Sequence, residues 1–385
     1  MHARTLQLAT LAGCLLVHSL AGAQTTPAAA PAPAFPPVAR PTPPTRLADG
    51  PEAPPFTKIE GNGASAPIDK HGDFVIGPHY VPARELSLTD GVKSGTVQQF
   101  QMDSADSKFY PGIARDAFGT VDPNNPKTVI VATHAQPYQR TITVYMPAQY
   151  QHVGRAAFLV THDGPKFGEP DVTLPRLLDN LIAQKRIPVI VAIMIQNGGG
   201  DAQGSERGLE YDTMSGKFAE YIEAEVLPAV EKKYDVKLSR KPGARAVMGC
   251  SSGAAAAFTM AWTHPEWYQR VISFSGTYVN QQWPFNPETP GGAWGYHESI
   301  IASAAKKPIR VWMHVGDRDL YNPNAMRDDM HDWVIANHRM AKVLKDKGYD
   351  YQYSFALDSG HCDGRVRAQT LPQALEWVWR GYGGK

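Results

Sequence analysis

Gly249-Cys250-Ser251-Ser252-Gly253 joins two segments of different character. Before it, Ala244 to Met248 is a short apolar run that predicts a strand. After it, Gly253 to Trp262 is a run of small and apolar residues that predicts a helix, stopped near His264-Pro265, because the residue before a proline is pushed away from helical backbone. A strand that turns straight into a helix through G-x-S-x-G has room for glycine, and not for a larger side chain, at the outer positions, and it lifts the central serine out of the sheet. The helix then points its free N–H groups at that hydroxyl. Ser251 is therefore the candidate nucleophile, and the Ser252 N–H a candidate donor to negative charge developing beside it. The motif by itself also fits a turn used only for packing; the strand before it and the helix after it select the chemical reading.

The flanking sequence repeats the same alternation. Gln139 to Met146 has β-branched residues at alternate positions, and Thr96 to Asp103 partly alternates, so both predict strands. Ala156 to Thr161 and Pro188 to Ile195 are continuous apolar runs, the pattern of strands buried on both faces of a parallel sheet. Val271 to Phe274, Ile309 to Val315 and Tyr351 to Leu357 predict further strands. Helical spacing covers Thr173 to Lys185, a long stretch from Tyr211 to Tyr234 interrupted by Pro228, Met326 to Lys347, and Thr370 to Trp379. Strands alternating with helices predict an α/β fold with a mostly parallel central sheet and helices on both faces, whose ligands bind at the carboxyl ends of the strands.

A serine hydroxyl needs a base. Gly360-His361-Cys362 follows the last predicted strand, and His361 is the candidate base by position, ahead of His162, His314 and His331. An acid to orient the imidazole is expected just past the strand ending at Val315. Gly316-Asp317-Arg318-Asp319 offers two; Asp319 fits the G-x-x-D spacing and is favoured over Asp317, while Asp358 and Asp363 read as turn residues. Cys250 immediately precedes the candidate nucleophile and Cys362 immediately follows the candidate base. If Ser251 and His361 meet, these neighbours come within reach of each other, and a Cys250–Cys362 disulfide is expected, closing a loop of about a hundred residues for roughly 4–5 kcal/mol of chain entropy. The second donor to an oxyanion is expected in His162-Asp163-Gly164-Pro165-Lys166, after the strand ending at Thr161; Pro165 has no N–H, which leaves Lys166 or Gly164.

The ends and the composition bound the rest. Of 385 residues, Met1 to Ala23 reads as a signal peptide: a basic start, an apolar run through Leu20 too short for a membrane span, and small residues at Ala21-Gly22-Ala23. Leu11-Ala12-Gly13-Cys14 also spells a lipoprotein box, but the apolar stretch before Cys14 is short. Residues 24–56 are rich in Pro, Ala and Thr and predict a disordered linker. Residues 57–138 read as an N-terminal arm with the first strands, and 139–385 as the catalytic core. A net charge of +1 gives no basic footprint for nucleic acid. Export to an oxidising compartment, periplasmic or extracellular, is consistent with pairing of the two cysteines left after Cys14 is removed.

From about Arg140 to the C-terminus the chain resembles the esterase D and enterochelin esterase-like family of α/β-hydrolases, which includes bacterial feruloyl esterases, siderophore esterases and mycolyltransferases. The matching pieces occur in the family's order: Asp163-Gly164 after a strand, Leu178-Asp179-Asn180-Leu181-Ile182-Ala183, Arg207-Gly208-Leu209-Glu210-Tyr211, Glu225-Val226-Leu227-Pro228 with Lys233-Tyr234, the elbow, and His264-Pro265 with Ser275-Gly276. The resemblance implies a carboxylic ester hydrolase with a Ser-His-acid triad, no cofactor and no metal, acting on a small-molecule ester. It also makes Arg207 a candidate for the substrate site, unless it pairs with Glu210. The Cys-Ser and His-Cys neighbours are similar to those of the tannase and fungal feruloyl esterase family, as a local parallel. Between Gly276 and Ile300 an insertion carries Trp283, Phe285, Trp294 and Tyr296; Trp283 and Trp294 are candidates to stack on an aromatic or sugar-bearing substrate, with a loop-holding aromatic cluster as the equal alternative. The same residues serve an acyltransferase, and an inert scaffold that only binds a ligand is the third reading.

Overall fold

The computed structural model describes residues 41–383, apart from 88, 324 and 327. The expected signal peptide, the lipoprotein box and the start of the expected linker lie outside the described residues. Along the chain the strands are β1 (Thr57–Lys58), β2 (Gly72–Ile76), β3 (Thr96–Asp103), β4 (Ile113–Arg115), β5 (Thr120–Asp122), β6 (Asn125–Ile130), β7 (Thr133–Ala135), β8 (Gln139–Met146), β9 (Ala157–Thr161), β10 (Ile190–Ile195), β11 (Arg245–Cys250), β12 (Arg270–Phe274), β13 (Arg310–Arg318) and β14 (Asp350–Gly360). The α-helices are α1 (Thr173–Ala183), α2 (Glu206–Tyr211), α3 (Lys217–Tyr221), α4 (Leu227–Tyr234), α5 (Ser252–Thr263), α6 (Ile301–Ser303), α7 (Trp333–Asp346) and α8 (Gly364–Trp379).

The large sheet has ten strands in the order β1-β2-β14-β13-β12-β11-β9-β10-β8-β3. Its neighbours pair in parallel from β1 through β10, and only the β10–β8 and β8–β3 pairs are antiparallel. This is the α/β-hydrolase arrangement the sequence predicts. Alternation along the central strands explains their continuous apolar runs. Phe158 and Val160 of β9 face the cluster that holds α2 to α7, while Ala157 and Leu159 face the cluster that holds α1 and α8. Strand order reverses around β9: β10 lies on one side of it and β11 on the other. The carboxyl ends of β9 and β11 therefore diverge into loops on opposite faces, the crevice in which open α/β sheets bind ligands.

Several local expectations change. The long helix predicted from Tyr211 to Tyr234 is broken into α2, α3 and α4, with a π-helical turn over Ile222–Val226 directly before α4. Pro228 has no N–H and its ring crowds the preceding turn, and a π turn there releases the missing bond. The helix predicted from Met326 begins at Trp333, because the Asp332 carboxylate accepts the Ile335 N–H (3.1 Å) and caps it. The last helix begins earlier than Thr370, at Gly364, capped by Asp363, and carries Pro372 within it. In the expected arm, Phe74, Val75 and Ile76 of β2 are buried in the main sheet, parallel to β14. Of the expected linker, residues 41–56 lie against the main domain. Arg46 pairs with Asp332 and its N–H donates to the Asp317 carbonyl (2.7 Å); Glu52 pairs with Arg339; and Phe56 stacks on Phe355 with ring centroids 5.2 Å apart. The composition of 24–56 as a whole hides these specific contacts.

Candidate active site

Ser251 stands between β11 and α5 with φ 59° and ψ −130°, a backbone conformation that side chains rarely adopt. The neighbours enforce it. A Cβ on Gly249 would lie 2.2 Å from the backbone of Gly253, so the turn closes only with glycine there. The Ser251 N–H donates to the Phe274 carbonyl (3.0 Å), and its carbonyl accepts the Thr277 N–H (3.2 Å). Ser252 is the first residue of α5, so its N–H has no acceptor within the helix. The elbow read from the sequence is thus built as a strained turn at Ser251 that opens directly into α5.

At the end of β13 the two candidate acids separate. Asp319 Oδ1 lies 2.5 Å from His361 Nδ1, and its Oδ2 accepts the Ser275 hydroxyl (2.6 Å). Asp317 accepts the backbone N–H groups of Asp358 and Ser359, both at 2.9 Å, and so braces the end of β14. Asp319 is fully buried. Burial alone pushes its carboxyl up, but hydrogen bonding and charge from His361, with the Ser275 hydroxyl and the Leu320 N–H, outweigh that and hold it below the ordinary carboxylate range. The bond from Nδ1 to the carboxylate leaves Nε2 of His361 as the nitrogen with a lone pair.

Cys250 and Cys362 are disulfide-bonded, with their Cα atoms 6.2 Å apart across a sequence separation of 112. Ser251 follows the first cysteine and His361 precedes the second, so the bond holds the two on adjoining segments. Ser275 adds a non-covalent tie: the hydroxyl that donates to Asp319 also accepts the Cys362 N–H (3.0 Å). Ser251 Oγ itself lies 3.2 Å from Thr277 Oγ1; among the described residues it makes no hydrogen bond to His361.

The loop after β9 differs from expectation. The Gly164 N–H is taken by the Ile195 carbonyl (2.8 Å), and Lys166 is drawn outward, its carbonyl accepting from Gln99 of edge strand β3 (3.0 Å). Gln99 also reaches Thr143 of β8, which puts Lys166 over the antiparallel edge of the sheet and away from β11. Two residues of this loop border the elbow, His162 and Asp163, the latter with φ 54°; a Cβ on Gly253 would lie 3.1 Å from His162 Cβ and from Asp163 Oδ2. The Asp163 N–H donates to the Tyr211 hydroxyl, at 3.2 Å. Arg207 pairs with the Asp163 carboxylate through Nε (2.8 Å) and Nη2 (2.9 Å), and not with Glu210, which pairs with buried Arg140. His162 is buried with Nδ1 2.6 Å from the Gly253 carbonyl, and burial pushes its pKa down to about 4, so it is a neutral brace for α5. His314 is buried in β13, and His331 lies 2.9 Å from Asp328.

The rim contains pieces the sequence left unassigned. Residues 113–135 fold into two small antiparallel ladders, β4–β7 and β5–β6. They touch the loop after β10 through Arg115 and Asp201 (2.8 Å), and the segment after β12 through Asn280 and the Lys127 carbonyl (3.4 Å). Gln281 Nε2 donates to Asp212 (2.9 Å) and to the Ser252 hydroxyl (3.3 Å), fixing the residue next to the nucleophile candidate. Of the insertion aromatics, Trp294 and Tyr296 are buried: Trp294 packs on His297 and under the Arg339 guanidinium, and Tyr296 bonds Thr259 (2.9 Å). Trp283 and Phe285 are half-buried. Among the described residues no group of three His, Cys, Asp or Glu side chains is placed to hold a metal ion, and no helix is long and apolar enough to cross a membrane.

A family model named Esterase, described as "Putative esterase", matches residues 133–375, well over half of the chain. No curated protein matches the sequence. Among solved structures, the chain is similar to the enterobactin esterase from Shigella flexneri crystallised in the presence of enterobactin, with 20% identity, 63% of this chain and 55% of that one covered, and a TM-score of 0.48. It is similar to the ferric enterobactin esterase from Salmonella typhimurium at 19% identity, 63% and 55% coverage and a TM-score of 0.46. It is also similar to a ferulic acid esterase from the anaerobic fungus Anaeromyces mucronatus at 11% identity, 78% and 96% coverage and a TM-score of 0.48. The chain spans 55% of the length of these enterobactin esterases.

Proposed function

We propose that this chain, which belongs to the Esterase family, is a serine carboxylic ester hydrolase that works through an acyl-enzyme on Ser251. The observation that carries this reading is the strained Ser251 turn, disulfide-tethered to a histidine whose Nδ1 is held by a buried carboxylate. As substrate enters, the Ser251 hydroxyl turns to His361 Nε2, which takes its proton while Oγ attacks the ester carbon; separations of this kind tighten when substrate binds. Asp319 keeps the imidazole in the tautomer with a free Nε2 and stabilises its protonated form. The Ser252 N–H supports the oxyanion, with the Asp163 N–H as the second donor, because it borders the elbow and its present bond to Tyr211 is long. His361 then returns the proton to the departing alcohol, and water repeats the sequence to release the acid.

The substrate class is a small ester of an aromatic acid, feruloyl-sugar or siderophore-lactone in type, met outside the cytoplasm after export of the chain. Half-buried Trp283 and Phe285 offer the aromatic surface. Arg207 acts on that substrate by fixing the Asp163 turn. The test is a panel of p-nitrophenyl esters of increasing acyl length, methyl ferulate and a trilactone siderophore, assayed with and without an added alcohol acceptor. Hydrolysis of an aryl ester, abolished by Ser251→Ala, supports the reading. Transfer to the alcohol in preference to water replaces it with acyl transfer, and no turnover of any ester refutes it.

A further inference from the structure

The three-residue segment that follows β12 bonds Ser251, Asp319 and the residue next to His361. Ser275 bonds Asp319 and the backbone beside His361, and Thr277 bonds Ser251 twice, through its N–H to the Ser251 carbonyl and through its hydroxyl to Oγ (3.2 Å). Thr277 is 1% exposed, so its hydroxyl must find its partners within the protein. The Trp333 indole Nε1 lies 3.1 Å from Thr277 Oγ1, and an indole N–H can only donate, so it occupies one of the two lone pairs of Thr277 Oγ1. The buried Thr277 hydrogen needs an acceptor of its own, and among the described residues the other partner of this hydroxyl is Ser251 Oγ. That leaves the Ser251 hydrogen free for His361, whose ring meets the edge of the same Trp333 with centroids 6.1 Å apart.

We propose that Thr277 is a further catalytic residue: its hydroxyl donates to Ser251 Oγ and stabilises the negative charge that Oγ carries as it attacks and again as it leaves, with Trp333 as the positioning residue. The proposal rests on the reading of Ser251 as nucleophile. In acylation the Ser251 O–H bond breaks, its proton goes to His361 Nε2 and the Oγ–carbon bond forms; the ester C–O bond then breaks and that proton leaves with the alcohol. In deacylation a proton from the attacking water goes to His361 as the water oxygen bonds the acyl carbon, the Oγ–carbon bond breaks, and His361 returns that proton to Oγ. Thr277 keeps its own proton throughout. Its hydrogen bond is weak to a neutral Oγ and strong to a charged one, which is the difference that accelerates a reaction. The N–H to O–H to Oγ series also polarises in one direction, each donor strengthening the next.

The measurement is the rate of Ser251 phosphonylation by a fluorophosphonate, in which the Oγ–P bond forms, the P–F bond breaks and fluoride leaves, so no knowledge of the natural ester is needed. Thr277→Val, nearly equal in shape, is expected to label about 10- to 100-fold more slowly than wild type, with kcat for an aryl ester falling in parallel and KM little changed. Thr277→Ser restores the rate to within a few-fold. Trp333→Phe, which keeps Thr277 and an aromatic ring but removes the N–H donor along with part of the indole, falls between and provides the readout should Thr277→Val fail to fold. Labelling of folded Thr277→Val at the wild-type rate overturns the proposal, as does Thr277→Ser labelling as slowly as Thr277→Val. Absence of labelling in wild type would overturn the Ser251 reading itself, a distinguishable result.

Discussion

Cys250 and Cys362 form a disulfide across 112 positions, each immediately beside one of the two residues proposed to exchange a proton, Ser251 and His361. The bond joins the strained elbow to the loop after β14, so the same link serves stability and geometry. Replacing both cysteines by serine is expected to lower unfolding free energy by about 2–5 kcal/mol in a urea titration and to reduce kcat more than KM. Unchanged kcat with reduced stability would restrict the bond to a stabilising role.

Asp319→Asn is expected to reduce kcat by about 10³- to 10⁴-fold, because an amide cannot hold the imidazole in the required tautomer. Asp317→Asn is expected to lower Tm and leave most of kcat, since Asp317 accepts two backbone N–H groups of β14 and has no bond to the imidazole. Steady-state kinetics on the two variants, with thermal melts, separate the roles. Comparable losses of kcat in both would contradict the assignment.

How far this site is legible in the sequence depends on how local each signal is. The strained turn at Ser251 and the central strands are legible because each is carried by a motif or an apolar run at one place in the chain; His361 is a candidate on the same ground, directly after the last of those strands. Asp317 and Asp319 were harder to separate, being two positions apart at one strand end. The structure separates them by a register shift between Gly316 and Arg318 against β14, which aims one carboxylate at backbone and the next at His361. Eliminating Pro165 leaves Lys166 or Gly164 but says nothing of where the loop travels, and at Lys166 it travels to Gln99. β2 gives little sequence signal because Phe74-Val75-Ile76 is too short to show a period, and its burial comes from β14, nearly three hundred positions away in sequence. Thr277 carried no signal at all; only the folded chain brings it to Ser251.

Stability should depend on pH through Glu206. Burial first, and the charge of Glu210 second, raise its carboxyl from 4.5 to about 7, while its Oε2 accepts the Ile113 N–H at the start of β4 (2.7 Å). A group whose folded pKa lies above its unfolded one contributes its full stability below the unfolded value and loses it as pH rises through the folded value. Glu206→Gln should therefore unfold at nearly the same denaturant concentration as wild type near pH 4, and be more stable than wild type at pH 8, by on the order of 2 kcal/mol. A difference that does not change between the two pH values would contradict this.

Trp294 and Trp283 should part company. Trp294 is buried against His297 and Arg339, so Trp294→Ala is expected to cost about 3 kcal/mol of stability without a selective rise in KM. Trp283 is half-buried, and Trp283→Ala is expected to raise KM for an aryl ester several-fold with little change in Tm. Thermal melts paired with kinetics on methyl ferulate decide both.

The acyl-enzyme tests the central claim most directly. Mixing the protein with p-nitrophenyl acetate, quenching in acid during the first turnover and mapping the peptides by mass spectrometry should find one acetyl group per chain, on the peptide that contains Ser251. Ser251→Ala should show neither the adduct nor turnover. Ester hydrolysis that persists in Ser251→Ala, or an acyl group found only on another residue, would contradict the account.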